Sequence, residues 1–504
     1  IKNEKIQMTV IYGGIEQASL ANGHYARYNV AYIVDPTYGV RVVRKRVLPH
    51  YDIFLESRYF CPSADPYTPV KIRVDGEDEL CDVLICEDIW NADYRGTTWE
   101  SPCSYLDDPT QYLKGTGPLF VLNASPFWHG KVEATESLLR SIVYRIKRQL
   151  FWINQVGAYD DVVFGGYSMA LDIANRIETL SMFAEDRKVI DSNHIPHGIT
   201  YRNTYFMDRA IETGDFDMWC TYKALVLHIR DYCKRCGFKD VVLGLSGGID
   251  SALVAVLAAE ALGKNHVVGI TMPSKYSSSG SVDDSEHLAK NLGIHFDRVP
   301  IGDIHHLYRI SLLNGKSEFY NPVTDENLQP RIRANVLLAY SNDHGNLVLT
   351  TGNKSEISMG YCTVFGDMAG GLGVIGDLWK TEVIAMCKFI NEYKGNVIPV
   401  SIIDKPPSAE LKPNQKDTDS LPPYEVLDKI LKLIVEENLP VNKVAEIVGS
   451  GAWDVHKMYR QYRNSEYKRQ QMPQTCKVSE KAFGSGRKIP VASNYTDLNR
   501  RYNV

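Results

Sequence analysis

The stretch LGLSGGIDSALVA, residues 243–255, narrows the choice of fold more than any other part of the chain. Before it, VVLGL is a short apolar run with β-branched residues and reads as a buried parallel strand. After it, SALVAVLAAEALG is rich in Ala and Leu and reads as a helix ending at Gly263. SGGID turns the strand into the helix. Two adjacent glycines let the backbone bend tightly and bring its N–H groups close to a ligand. The helix N-terminus adds about half a positive charge there. Ser246 and Ser251 add hydroxyl donors. The product is an anion cradle suited to phosphate or pyrophosphate. It lacks the Lys-Ser/Thr pair of the P-loop and the spacing of GxGxxG. Asp250 adds a carboxylate, which beside a bound phosphate can hold Mg2+ through an oxygen.

The elements that follow predict the sheet around this turn. HVVGITMPS, FDRVPI and LVLT read as strands. SVDDSEHLAKNLG is a helix capped by Ser281 or Asp283 and stopped by Gly293. PRIRANVLLAYSND is helical, with Ile332, Val336, Leu337 and Tyr340 on one face. A β-α-β-α-β order implies an α/β, doubly wound parallel sheet, whose ligands sit at the carboxyl ends of the strands. SGGID, MPSKYSS and TTGNKSE all lie at such ends and should converge. TTGNKSE offers Thr351 as a hydroxyl, Lys354 as a cation and Glu356 as a second carboxylate, so Asp250 and Glu356 together could hold the metal. Further on, Val426, Leu427, Ile430, Leu431 and Ile434 make the buried stripe of a helix that starts at Pro422 and Pro423. The basic, irregular tail beyond Met472 reads equally as a solvated tail or as a contact to a neighbouring subunit.

With 504 residues the chain should hold two or more domains. A net charge of −5 implies no broad basic surface for nucleic acid. No run reaches the roughly 18 apolar residues of a membrane span. Ten scattered cysteines suit reduced thiols in a cytoplasm; Cys233 and Cys236 fall on a helix and read as packed. The boundaries expected are 1–200, a linker at 201–217, and 218–504.

In the first part, MTVIYG, VAYIVDP, VRVVRK, VLICEDI and LFVLNASP read as strands. ESLLRSIVYRIKRQLFWINQ carries Leu138, Leu139, Ile142, Ile146 and Leu150 at helical spacing, and FWINQVG closes it as a further short apolar run. Two strand ends carry chemistry. Cys86 closes CDVLIC, where free backbone N–H groups and a nearby cation make a thiol nucleophilic. Lys45 follows VRVVR and could be that cation, or hold an oxyanion. Alone, these two residues do not make a site: a cysteine after an apolar strand is more often core, and a lone lysine solvated.

The surrounding words carry resemblances. SGGxDS resembles the PP-loop of the ATP pyrophosphatases, which cleave ATP to AMP and pyrophosphate. MPSKYSSSGSVDDSEHLAKNLGI, LQPRIRANVLLAYSN, LVLTTGNKSEISMGYCTVFGDMAGG, DKPPSAELKPNQKDTDSLPPYEVLD and NEYKRQQMP follow in order. Together they resemble the synthetase half of bacterial glutamine-dependent NAD synthetases over nearly all of 221–490. KRVLPHYDIFLESRYF, VLICEDIW, NASPFWHGK and NQVGAYDDVVFGGYS resemble the nitrilase-type glutaminase domain of the same enzymes.

The resemblance implies an incomplete nitrilase-like αββα sandwich, then a PP-loop domain with a helical C-terminal extension. It implies ATP-dependent amidation of deamido-NAD to NAD through an adenylate, with ATP and Mg2+, no nucleic acid or membrane partner, and homo-oligomers. Gly244, Leu245, Ser246, Gly247, Gly248, Ile249, Asp250, Ser251, Thr351, Lys380 and Ser408 fall at ATP positions. Asn327, Glu356, Tyr361, Cys362, Thr363, Val364 and Lys468 fall at deamido-NAD positions. GDMAGGLG reads as a lid over the nicotinate end. Lys45 and Cys86 match two members of a Glu-Lys-Cys triad, and Tyr51, Ser125 and Lys131 match residues that hold glutamine.

Three departures stand out. The family's triad Glu lies in a PE-L-x-x-TGYP segment upstream of Ile1, and Glu4 has no matching context. The expectation is therefore a fragment with little or no glutaminase activity, its first sheet left with an open edge and an uncovered apolar face. YDDVVFGG stands where the family has QDE-LVFDG, so glutamine contacts from that loop are not carried over. The stretch between Trp90 and Asn123 is long and reads as a surface insertion. The alternatives are an ammonia-only NAD synthetase, another PP-loop amidotransferase, or an interaction protein without catalysis.

Overall fold

The computed structural model describes residues 8–19, 23, 25–74, 76–90, 109–191, 195, 210–211, 213–413, 415–449 and 453–492. Glu4, most of the expected linker and most of the expected insertion lie outside the described residues. The chain divides into two compact bodies, Ile1–Gly157 with Phe164–Asp208, and Ala158–Val163 with Arg209–Val504.

The first body holds two sheets. Strands β1 (Val10–Ser19), β2 (Tyr25–Asp35) and β3 (Gly39–Arg44) form an antiparallel meander. The second sheet has the order β11-β10-β7-β6-β5-β4. It is built from β4 (Val70–Val74), β5 (Glu77–Ile85), β6 (Leu119–Asn123), β7 (Leu150–Asn154), β10 (Met169–Leu171) and β11 (Ile177–Thr179). Strands β8 (Val156–Tyr159) and β9 (Val162–Gly165) pair as a separate hairpin, of which Ala158–Val163 belongs to the second body. Strands β5, β6 and β7 run parallel, so the chain leaves β5 and β6 at the same edge.

The period-2 alternation sorts side chains between faces. Ala31 and Ile33 of the meander pack on Ile72, Val83 and Ile85 of the second sheet. The opposite face of the meander exposes Tyr12, Val40 and Val42. Helix α1 (Lys131–Ile146) buries Leu138, Leu139 and Ile142. It is displaced from the expected segment. It begins at Lys131, and it stops at Ile146 because Lys147 takes a left-handed φ of 53°. Leu150, expected on the helix, opens β7 instead.

The second body contains α2 (Phe216–Cys236), β12 (Val241–Gly244), α3 (Ile249–Leu262), β13 (Val267–Thr271), α4 (Ser279–Leu292) and β14 (His295–Arg298). There follow α5 (Gly302–Leu313), α6 (Val323–His344), β15 (Leu347–Thr350), α7 (Lys354–Met359), β16 (Leu372–Gly373) and α8 (Lys380–Lys394). The helical end comprises α9 (Val400–Asp404), α10 (Tyr424–Val435), α11 (Val441–Val448), α12 (Val455–Asn464) and α13 (Glu466–Arg469). The sheet order is β14-β13-β12-β15-β16, all parallel. Strand β12 lies at its centre, with Val241, Val242 and Leu243 fully buried. Helix α3 is apolar all round because it too is buried. Leu427, Ile430, Leu431 and Ile434 form the expected stripe of α10 and pack with Val444, Met458, Tyr462 and Phe483.

Four expectations need correction. The cap of α4 is Ser278, whose hydroxyl accepts from the Ser281 amide. Cys233 is packed as expected, but Cys236 is exposed. GDMAGGLG is no loose lid: Leu349 pairs with Leu372 and Thr350 with Gly373. A Cβ on Gly370 would lie 2.5 Å from Thr350 Cγ2, so the run is pressed against β15 as the edge of the sheet. The tail is packed as far as Phe483, whereas 484–492 are exposed or half-exposed, as a solvated tail would be. Cys476, Val478, Ala482 and Phe483 are buried, and Gly373 N–H donates to the Gln474 carbonyl.

Candidate functional site

Parallel pairing of β12 with β15 puts their carboxyl ends side by side, and with them the turn at 244–251 and the loop at 351–356. The turn is built on glycine. Gly247 has a φ of 74°, and a Cβ there would lie 2.2 Å from the Ser281 carbonyl oxygen. Ser246 and Ser251 brace the bend: their hydroxyls are 3.1 Å apart, and Ser246 Oγ accepts from Gly248 N–H at 3.2 Å. Gly244 and Leu245 close the strand. Helix α3 starts at Ile249, two residues earlier than the sequence suggested, which places Asp250 in its first turn.

Asp250 meets the second loop. Asn353 Nδ2 donates to its Oδ1 at 2.9 Å, and Lys380 Nζ binds its other oxygen. Lys380 Nζ also lies 3.9 Å from Glu356 Oε1. Asn353 and Glu356 cap the start of α7 reciprocally, at 3.0 and 3.3 Å. Burial, with the charge of Asp250 beside it, raises the Glu356 carboxyl well above the usual range, against the pull of Lys380. Burial works to lower Lys380, but Asp250 and Glu356 outweigh it and hold the ammonium above its ordinary value. Two carboxylates crowded beside one glycine turn are a hard-oxygen donor pair.

Lys354 does not join them. It is fully buried on the far side, bonded to Glu436, Ser479 and the Lys481 carbonyl, and paired with Asp377. It is structural where the sequence suggested a ligand cation.

Thr351 is half-buried at the loop entrance. Ser408 sits on an exposed strap, its hydroxyl donating to the Gln415 carbonyl at 2.6 Å. That strap reaches the cradle: Lys405 Nζ donates to the Gly247 carbonyl at 3.1 Å, and Glu410 accepts from Ser281 Oγ at 2.8 Å.

The second predicted set is contiguous. Thr363 Oγ1 donates to Asn327 Oδ1 at 2.9 Å. Lys468 Nζ donates to the carbonyls of Gly360 and Cys362, at 2.7 and 2.6 Å. Tyr361 N–H donates to the Glu356 carbonyl at 2.8 Å, and the Val364 carbonyl accepts from Arg331 at 3.3 Å. The backbone of Glu356 thus joins the first set to the second. Burial pushes the Cys362 thiol up to about 12.

In the first body, Cys86 follows the last residue of β5 and takes a φ of 47° in a sharp turn. Burial raises its thiol, and Lys45 and Lys131 pull the other way. Lys45 is only 3% exposed and is held by Glu56 Oε2 at 2.5 Å. Asp88 accepts from the Arg46, Val47 and Ile85 amides at 2.9–3.1 Å, tying the Lys45 segment to the end of β5. Tyr51 donates to Glu87 at 2.7 Å, and Lys131 Nζ lies 4.1 Å from the Trp90 ring centroid. Ser125, at the end of β6, donates its amide to Asn154 Oδ1 at 2.9 Å.

Sequence reasoning missed Glu56 and Asn353. Glu56 stands eleven residues after Lys45 in the same quoted segment, and Asn353 is the cap residue of GNKSE.

An NAD synthase family model matches residues 221–472. The chain is 40% identical to the glutamine-dependent NAD(+) synthetase of Synechocystis sp., over 94% of this chain and 82% of that protein. It is 37% identical to that of Thermotoga maritima, over 97% and 86%. The structure is similar to that of glutamine-dependent NAD+ synthetase from Acinetobacter baumannii in complex with ADP. The TM-score is 0.68 at 31% identity, covering 96% of this chain and 84% of that one.

Proposed function

Because the chain belongs to the glutamine-dependent NAD(+) synthetases, ligases of the last step of NAD biosynthesis, we propose that its cradle grips the pyrophosphate half of ATP while Asn327, Glu356, Tyr361, Cys362, Thr363, Val364 and Lys468 hold deamido-NAD. The carboxylate on the pyridine ring attacks the α-phosphate, giving an acyl adenylate and pyrophosphate. Ammonia then attacks the adenylate carbonyl, giving the amide and releasing AMP. The loop N–H groups and Lys380 stabilise charge on the departing pyrophosphate; Thr351 and Ser408 complete the ATP contacts. The observation that carries the reading is the meeting of Asp250, Asn353, Glu356 and Lys380 at the mouth of the glycine turn.

Asp250 and Glu356 fit a Mg2+ ion. Both offer only oxygen, and no third acidic, His or Cys group joins them among the described residues. One or two carboxylates with the remaining positions left to water and phosphate is the usual arrangement. When bound, the ion neutralises charge on the pyrophosphate.

Ammonia must be neutral to attack, and glutamine hydrolysis supplies it as such. Cys86 is the nucleophile for the glutamine amide and Lys45 faces the oxyanion, with Tyr51, Ser125 and Lys131 about the substrate. Glu56 orients Lys45. Residues 1–200 make the glutaminase domain and 218–504 the synthetase. Every described cysteine is a free thiol, which suits a reducing cytoplasm. Helices α5 and α6 expose Leu307, Ile310, Val323 and Leu338, an apolar surface that suits a homo-oligomer.

The test uses ammonium chloride, ATP, Mg2+ and deamido-NAD, with AMP, pyrophosphate and NAD measured together. Equal yields of the three are expected, and Asp250→Asn should abolish them. Failure of the chain to release pyrophosphate in the presence of deamido-NAD overturns the reading.

A further inference from the structure

We infer that the C-terminal segment 477–481 is a positioning element for the adenylation site, acting through the buried ammonium of Lys354. The inference rests on the assignment of Asp250, Asn353 and Glu356 to that step.

Helix α7 is only six residues long. A helix so short does not hold its own conformation, yet its cap and first turn carry Asn353 and Glu356. Lys354, between them, is fully buried; it donates to Glu436, Ser479 and the Lys481 carbonyl and is ion-paired with Asp377, so that three other parts of the chain meet on it. Glu436 Oε1 follows α10 and lies at 2.8 Å; Asp377 Oδ1 precedes α8 and lies at 2.9 Å. The tail supplies the rest, Ser479 Oγ at 2.8 Å and the Lys481 carbonyl at 2.9 Å. The tail is itself fixed to the same carboxylate. Asp377 Oδ2 accepts from the Val478 and Ser479 amides at 2.8 and 2.7 Å, and Ser479 Oγ donates to Asp377 Oδ1 at 2.9 Å. Lys481 Nζ donates to the Glu436 carbonyl.

The hub also reaches Lys380. Trp379 Nε1 donates to Glu436 Oε1 at 2.9 Å, and Lys380 N–H donates to Ser355 Oγ at 2.9 Å. One buried ammonium thus fixes the two loops that deliver Asn353, Glu356 and Lys380 to Asp250. A buried charge tolerates little displacement of its acceptors, because each lost bond leaves it undersolvated. An error of about 1 Å in a catalytic constellation costs roughly a hundredfold in rate.

The experiment measures pyrophosphate release from ATP with deamido-NAD and ammonium chloride, per folded molecule. The variants are Ser479→Ala, Ser479→Thr and Lys354→Met. The serine variants leave Lys354 paired with Asp377 and Glu436, so the fold is retained. Alkylation of Cys476, buried in the tail and read by peptide mass spectrometry, reports whether the tail is docked. For Ser479→Ala a fall in kcat of about tenfold or more is expected, with KM for deamido-NAD within about twofold and faster Cys476 alkylation. Ser479→Thr, which keeps the hydroxyl, should recover most of the rate; Lys354→Met should match or exceed the loss. Wild-type kcat in Ser479→Ala and Lys354→Met overturns the inference. So does a loss accounted for wholly by the unfolded fraction. If the wild-type chain itself releases no pyrophosphate, the assignment of the site fails instead.

Discussion

Asn353 Nδ2 donates to Asp250 Oδ1 over 2.9 Å, joining a helix cap on one loop to a carboxylate 103 residues earlier on another. The same side chain accepts from Glu356 N–H through its oxygen. Both ends of the amide are therefore committed, and its orientation is fixed by the two bonds. Asn353→Asp would place two carboxylates together while keeping the cap; Asn353→Ala would lose both bonds. A hydrogen bond to a charged group contributes about 1.5–3 kcal/mol. Ten- to a hundredfold slower pyrophosphate release is expected in Asn353→Ala, and a larger loss in Asn353→Asp. Steady-state assays with ammonium chloride check both, and equal rates in the two variants would contradict the orienting role.

Gly247 provides a second test. Its φ of 74° already disfavours any L side chain, and a Cβ would run into the Ser281 backbone. The left-handed conformation alone costs roughly 1–2 kcal/mol for alanine, and the collision adds to it by moving the turn away from the start of α4. Gly247→Ala is expected to lower the melting midpoint and abolish stabilisation by ATP. A thermal shift titration reads both at once. Gly248→Ala should be milder, since its φ of −99° suits alanine.

These two positions mark what the sequence reveals and what it hides. The strand, turn and helix at 241–262 are legible because one local pattern specifies all three, and the parallel sheet follows from element order. Lys380 is legible only through the family resemblance, Asp250 and Glu356 as candidate ligands through their place beyond strand ends. Lys354 misled for the same reason. It lies in the same loop, but helical geometry turns its side chain away from Glu356 toward a tail more than a hundred residues later. The role of that tail depends on contacts to Asp377 and Glu436 that no local pattern encodes. GDMAGGLG misled because glycine serves close packing as well as freedom, and at Gly370 the neighbour is β15. The start of α1 was missed because Lys131, Val132 and Glu133 follow Gly130, which is a weaker start signal than Ser, Asp or Asn.

Lys45 and Glu56 act on the Cys86 thiol with opposite signs. Burial raises the thiol, Lys45 lowers it, and Glu56 raises it further. Lys45→Met should leave the thiol harder to ionise, and Glu56→Gln easier. Each tenfold change in thiolate fraction corresponds to one pKa unit. At pH 8, alkylation of Cys86 by iodoacetamide is expected to slow about tenfold in Lys45→Met and to accelerate in Glu56→Gln. Peptide mass spectrometry follows this residue separately from the other cysteines. Slower alkylation in both variants would mean that Glu56 acts on the thiol only by holding Lys45 in place.

His228 predicts how stability depends on pH. The ring is fully buried on α2, its Nε2 lies 2.7 Å from the Asp160 carbonyl, and its Nδ1 has no hydrogen-bond partner among the described residues. Burial lowers its pKa to about 4, against the hydrogen bond to Asp160 and the charge of Asp231. An unfolded histidine takes up its proton near pH 6.5. Between these values the unfolded chain binds more protons than the folded one, so stability is present above about pH 6.5 and is lost as pH falls toward 4. At about 1.4 kcal/mol per unit, the loss attributable to this residue is roughly 3 kcal/mol across that window. His228→Gln keeps a donor for Asp160 and cannot titrate. Urea unfolding at pH 7 and pH 5 should show a smaller difference in the variant than in the parent, and parallel losses in both would show that this ring is not the group that titrates.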